Sequence, residues 1–153
     1  MSLIIGVIGG SECSKEIEKL AYETGKAIAE AGFALVCGGM SGVMQAACKG
    51  AKDAGGLTIG ILPGKNKAEA NEFVDIPIVT AMSHARNAVI VRTADALIAV
   101  GGRYGTLSEI GLAKSIDKPV FGLKTWDIDG VIKVNTPAEA IKAVKKSLRD
   151  TKY

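Results

Sequence analysis

The chain has 153 residues, 48% of them apolar and 23% charged, with a net charge of +3. That length suits one domain with a sizeable core. The composition is that of a soluble globular protein, no apolar run approaches the ~20 residues of a membrane span, and so mild a charge argues against nucleic acid as a partner. Aromatics make up only 5% while glycines number 19, which predicts an aliphatic core and tight turns.

Residues 3–9 (LIIGVIG) read as a first strand that ends in glycines. No basic leader precedes them, so the expectation is a cytoplasmic protein without a signal peptide. Ser14 opens a helix over 14–31 that places Ile17, Leu20, Ala21, Ala27 and Ile28 on one apolar stripe, and Gly32 stops it. A second strand at 33–37 (FALVC) precedes a helix at 42–54. A third strand at 57–62 (LTIGIL) precedes 64–72 (GKNKAEANE), a polar excursion long enough for a mobile loop. Then come a strand at 74–79, a helix at 82–93, a strand at 95–100, a helix at 104–116, a strand at 119–123 and a helix at 137–149. Cys13, Cys37 and Cys48 are odd in number and lack CxxC spacing, as expected of reduced thiols. Continuous apolar strands alternating with helices predict an α/β protein. Its architecture is a Rossmann-like, doubly wound parallel sheet in three layers, with right-handed crossovers, in a single domain over 1–153.

On that frame four glycine clusters fall at carboxyl ends of strands, along one edge of the sheet. They are Gly9-Gly10-Ser11, Gly38-Gly39-Met40-Ser41-Gly42, Pro63-Gly64 and Gly101-Gly102-Arg103-Tyr104-Gly105. A glycine pair after a strand is often only turn chemistry. Four clusters on the edge where open α/β sheets take their ligands point instead to a phosphate or nucleotide site. Glycine permits close approach of the main chain, and the helix that follows receives an anion on its free N–H groups. Thr106 adds a hydroxyl to the last cluster. The first turn, GVIGGS, lacks the G-x-G-x-x-G fingerprint, and the second strand ends in Cys37-Gly38 rather than an acid, which disfavours extended NAD. GILPGKN has the wrong spacing for a Walker A loop and Asn66 in place of Ser or Thr, which disfavours ATP hydrolysis.

Three segments, LVCGGMSGVMQAACKGAKDAGGLTIGILPG, SHARNAVIVRTADALIAVGGRYGTLSEIGLA and KPVFGL, resemble the Lonely Guy proteins and their relatives, the molybdenum-cofactor carrier proteins. The likeness covers residues 1 to about 125. The family's P-G-G-x-G-T-x-x-E is matched by Gly101 to Glu109, and its M-H-x-R-K by Ser83-His84-Ala85-Arg86-Asn87. Gly101 stands in place of the family proline, Arg103 in place of its second glycine and Asn87 in place of its lysine. With ARN and GTLSEIGLA, these departures resemble the carrier branch more than the hydrolase branch. The resemblance implies hydrolysis of the N-glycosidic bond of nucleoside 5′-monophosphates, with Glu109 and Arg86 as the catalytic pair and neither metal nor organic cofactor required. It also implies a homodimer or homotetramer. Nothing supports the lysine decarboxylase label given to some members, because no pyridoxal Schiff-base site is visible.

The chemistry can be argued from the residues too. A carboxylate favours an oxocarbenium-like state, and Glu109 lies about one helical turn past the phosphate-binding turn. Arg86 can grip a phosphate with two prongs. The plainer alternatives are a solvated helix glutamate and a surface arginine. His84 reads as a turn histidine or a catalyst, Cys37 as core packing, and Lys142, Lys145, Lys146, Arg149 and Lys152 as a solvated helix face. The expected function is binding of a phosphorylated nucleotide or nucleotide-like ligand, of nucleoside monophosphate or molybdopterin type. Phosphoribohydrolase activity and a non-catalytic nucleotide sensor are the alternatives.

Overall fold

The computed structural model describes residues 2–151. Strands β1 (Ile4–Gly9), β2 (Ala34–Cys37) and β3 (Thr58–Leu62) alternate with helices α1 (Lys15–Glu30) and α2 (Val43–Asp53). Then follow β4 (Ile76–Val79), α3 (Arg86–Thr93), β5 (Ala96–Val100), α4 (Tyr104–Ser115), β6 (Val120–Leu123), β7 (Val131–Lys133) and α5 (Pro137–Asp150). The strands form one parallel sheet in the order β4-β3-β2-β1-β5-β6-β7. The order runs outward both ways from β1 and β5, so the doubly wound expectation holds.

Every residue of β2, β5 and β6 is buried. One face of the sheet, with Ile5, Leu35 and Ile98, packs against Ala21 and Ile28 of α1, Ala47 of α2 and Ile141 and Val144 of α5. The other face, with Ile8, Val36 and Leu97, packs against Ile90 and Val91 of α3 and Ile110 and Ala113 of α4. Burial of each large aliphatic side chain stabilises by about 1.5–3 kcal/mol. The Ser14 hydroxyl accepts from the Ile17 N–H, and Gly32 at φ +82° ends that helix, as the sequence predicts. Lys142, Lys145, Lys146 and Arg149 are exposed, and Lys152 lies outside the described residues.

Three expectations change. Strand β7 was not foreseen: three residues with an exposed lysine carry no apolar pattern, and register with β6 (Val120 opposite Val131) makes the strand. The stretch 64–72, expected as a loose loop, holds a 3₁₀ turn at Lys67–Glu69 with a reciprocal capping box between Asn66 and Glu69. Asn71 ties it down, donating from its backbone to Gly39 O and from its side chain to Met40 O. The helix expected from 82 begins at Arg86. Ala81 and Ser83 both have φ +54°, so the chain turns through a short 3₁₀ segment first.

Helices α1 and α2 approach through glycines. A Cβ on Gly25 would lie 1.8 Å from Ala47 O, and one on Gly50 would lie 2.0 Å from Tyr22 O. Both obstacles are backbone, so neither can swing aside. Gly111 on α4 has nothing within 4 Å of its Cβ position. Gly25→Val and Gly50→Val should each destabilise by roughly 1–3 kcal/mol or more, lowering the thermal midpoint by about 2–4 °C per kcal/mol. Gly111→Ala should raise it slightly. Circular dichroism melts of the three variants check the contrast.

Candidate functional site

A cavity of about 690 Å³ opens between the carboxyl ends of β1 and β5. This is where the strand order reverses, the crevice in which doubly wound sheets hold ligands. Gly9, Gly10 and Ser11 form one wall, Gly38 and Met44 a second, and Arg86 and Asn87 a third. Arg103, Gly105, Thr106 and Glu109 of the α4 turn close it.

Three helix N-termini converge here without caps. The N-cap residues of α2, α3 and α4 are Gly42, Ala85 and Arg103; none makes a side-chain cap bond, and no acid lies in any of the three first turns. The first N–H groups of a helix have no acceptor behind them, and they carry the positive end of the helix dipole. Helices α1 and α5 differ: Ser14 and Thr136 cap them, with Glu16 and Glu18 or Glu139 in the first turn. The helix starts that face the cavity are the ones the sequence leaves without a side-chain cap, although Val43 N–H of α2 donates to Gly10 O and Arg86 N–H of α3 to Ser83 O.

Glycine geometry builds the turns. Gly42 has φ +65°, and a Cβ there would lie 2.3 Å from Gly10 O; this lets Val43 N–H donate to Gly10 O, and the Ser41 hydroxyl donates to Ser11 O beside it. Gly102 has φ +101°, with Thr106 Oγ1 only 2.3 Å from its Cβ position. Gly105, by contrast, has open space beside it, so close packing falls on Gly102, not on Gly105.

Arg86 and Glu109 meet at the cavity. Arg86 is half-buried and donates from Nη1 to Asn87 Oδ1, while its Nε is buried and has no partner among the described residues. Burial holds its pKa below the ordinary arginine value, against the opposing pull of Glu109 and Cys37. Glu109 is only 7% exposed, and burial pushes its carboxyl up to about 8, with Arg86 opposing. Among the described residues the two form no ion pair. The surface readings of both residues are thereby overturned. His84 lines the cavity as well, and Thr106 is 2% exposed.

Other expected residues stand one layer back. Pro63 O and Gly64 O accept from Ser83 N and Ala81 N, anchoring the strained segment that leads to Arg86. Gly39 and Met40 are held by Asn71. Gly101 donates to Leu123 O and accepts from Thr125, and Tyr104 is 75% exposed. Glu12, Cys13 and Met44 also line the cavity; the sequence signal for the first two was their position just after the first glycine pair. Cys37 is fully buried, its sulfur 3.5 Å from that of Cys48.

Comparison with known proteins extends this picture. A family model described as the SLOG cluster4 family matches residues 2–151. An uncharacterized protein of Archaeoglobus fulgidus is 51% identical, over 90% of this chain and 91% of its own. A solved structure, the molybdenum cofactor binding protein of Rippkaea orientalis, superposes with a TM-score of 0.92 at 39% identity, covering 97% of this chain and 98% of that one. A cytokinin riboside 5′-monophosphate phosphoribohydrolase of Mycobacterium tuberculosis is 33% identical over 72% of this chain, which spans 64% of that protein's length. With the seven-stranded parallel sheet and a match over nearly its whole length, the chain belongs to the SLOG cluster4 family.

Proposed function

We propose that the cavity binds a small phosphorylated ligand, a nucleoside monophosphate or a molybdenum cofactor of the pterin type, with its phosphate on the N-terminus of α4. The observation that carries this is the set of three helix starts without side-chain caps around a buried, unpartnered arginine nitrogen. An unpaired buried charged group is costly, and a phosphate oxygen on Arg86 and the Gly105 and Thr106 N–H groups would offset that cost. Arg103 stands at the mouth and supplies a second cation for a larger anion. The residues fit a pterin-type cofactor as well as a nucleotide: a cavity of about 690 Å³ holds a fused ring with its phosphate, and the same donors take that phosphate. Relatives point both ways, to cofactor binding in the protein of Rippkaea orientalis and to phosphoribohydrolysis in the mycobacterial one.

The proton on Glu109 favours binding as the first reading. With its carboxyl pushed to about 8, Glu109 is neutral at pH 7 and does not repel an anion. The second reading, hydrolysis of the N-glycosidic bond, rests on Arg86 and Glu109 sharing the cavity. In it Glu109 must lose its proton to favour an oxocarbenium-like state. We also propose a homodimer or homotetramer, supported by exposed Ile76, Ile78 and Val79 along the unpaired edge strand β4 and by exposed Met82 just beyond it.

The decisive measurement is incubation with a panel of nucleoside monophosphates, with free base and ribose 5-phosphate quantified. The binding reading expects no release, and Arg86→Ala should weaken AMP binding about tenfold or more through loss of a charge-assisted contact. Release that is lost in Glu109→Gln, with AMP binding retained, would promote the enzyme. The pH dependence follows from the raised carboxyl. Between pH 7.5 and 9 the phosphate is already a dianion, so AMP affinity should fall in the wild type as Glu109 ionises and stay flat in Glu109→Gln. The folded protein holds this proton up to about 8, while the unfolded chain loses it near 4.5, so stability declines across that window as pH rises. Glu109→Gln should therefore melt higher than wild type at pH 8, and the gap should close towards pH 4.5. Light scattering that shows a stable 15.8 kDa monomer at micromolar concentration would exclude the oligomer.

A further inference from the structure

A second cavity, of about 300 Å³, lies against β6 and β7 and shares no lining residue with the first. That volume suits a single nucleoside-sized group. The loop after β6 forms one wall. Lys124 has φ +51°, a conformation that side chains rarely adopt, and it turns the chain sharply. Thr125 and Trp126 are thereby brought back onto the glycine turn of the main cavity. The Thr125 hydroxyl donates to Gly101 O, and the Trp126 indole N–H donates to Arg103 O at 2.9 Å. With its nitrogen occupied, the indole is fixed in orientation. Tyr104 lies beside it, the ring centroids 5.8 Å apart at 41°. Trp126, Asp127, Lys133 and Asn135 all line the cavity. The side chains of Asp127, Lys133 and Asn135 have no hydrogen-bond or ion-pair partner among the described residues. Lys124, by contrast, is paired with Glu16.

These groups form a specific chemical pattern. A fixed indole offers a flat stacking surface. A free carboxylate accepts two N–H bonds side by side, which matches an edge carrying an amino group next to a ring N–H. A free lysine holds one anionic group. We propose that this cavity is a second ligand subsite for a fused ring with a 2-amino-4-oxo-pyrimidine edge, as in guanine or a pterin, that bears an acidic group. The ring stacks on Trp126, the edge meets Asp127, and the anion meets Lys133. The adenine edge, with no amino group beside a ring N–H, does not fit Asp127. This subsite is independent of the reading of the main cavity.

Trp126 is the single tryptophan, so the full chain labelled with ¹⁵N gives one indole N–H signal from this site, while the Gly105 and Thr106 amides report on the main cavity. GMP, AMP and pterin-6-carboxylate are titrated separately. The expected result is a saturable shift of the indole signal with GMP or pterin-6-carboxylate, the tighter of the two identifying the ring, and at least about tenfold weaker response to AMP. Asp127→Ala and Lys133→Ala, both at exposed positions, should each weaken that response about tenfold, leaving the Gly105 and Thr106 shifts with GMP unchanged. The proposal is overturned if AMP and GMP act alike on the indole, if Asp127→Ala leaves its response intact, or if neither ring shifts it at millimolar concentration. Failure of the main-cavity reading would show separately, as static Gly105 and Thr106 amides.

Discussion

A parallel sheet sends every strand-to-helix turn to the same edge, and each helix that starts there arrives with N–H groups that nothing behind them can accept. This constraint organises the molecule. Among the described residues five helices cannot all leave such groups open at no cost, and two of them, α1 and α5, are closed by Ser14 and Thr136. The remaining three have no side-chain cap around one crevice, at the point where the order of strands reverses, with backbone carbonyls taking Val43 N–H of α2 and Arg86 N–H of α3. The helix starts without a side-chain cap are thereby gathered at one cavity rather than dispersed along the edge.

The rest of the structure keeps that gathering rigid. Glycine contacts let α1 and α2 approach until backbone meets backbone, and the start of α2 is stitched to the β1 turn through Gly10 O and Ser11 O. Pro63 and Gly64 contribute carbonyls, not a surface: they hold Ala81 and Ser83 in their left-handed conformation and so deliver Arg86 to the cavity. Thr125 and Trp126 hold the opposite turn from behind. Each of these helix starts has neighbours that fix its direction.

Within this frame Arg86 and Glu109 are tuned against each other without neutralising each other. Burial penalises the charge on both, and each partly relieves the other. Direct pairing would satisfy the two residues and leave the cavity with little attraction for an anion. Held short of that contact, Arg86 keeps a nitrogen unpartnered and Glu109 keeps its proton near neutrality. This arrangement supports the proposed binding of an anion at pH 7, and the carboxyl ionises as pH rises through about 8.

Much of this was legible in the chain. Continuous apolar runs such as ALIAV between helical patterns dictate a parallel sheet, because only strands covered on both faces can be so uniformly apolar. Glycine clusters after those runs mark the ligand edge, and Ser14 and Gly32 mark the ends of α1 through local capping and a left-handed turn. These signals act over a few residues, so the sequence states them outright. The capped turn at 66–69 carries a local signal in the N-x-x-E of Asn66 and Glu69. Strand β7, by contrast, escaped notice because pairing with β6 makes it, not local propensity. The burial of Glu109 and the freedom of Arg86 Nε were beyond reach for the same reason: a helix glutamate looks the same in solvent or in a cavity. The placement of Trp126 on the carbonyl of Arg103, 23 residues away, depends on strand order and on one strained residue at 124. Sequence determined the elements and the edge on which the main cavity opens. Tertiary structure alone decided which helix starts stay open, which charges lose water and which residues stand behind them, because those follow from distances between segments far apart in the chain.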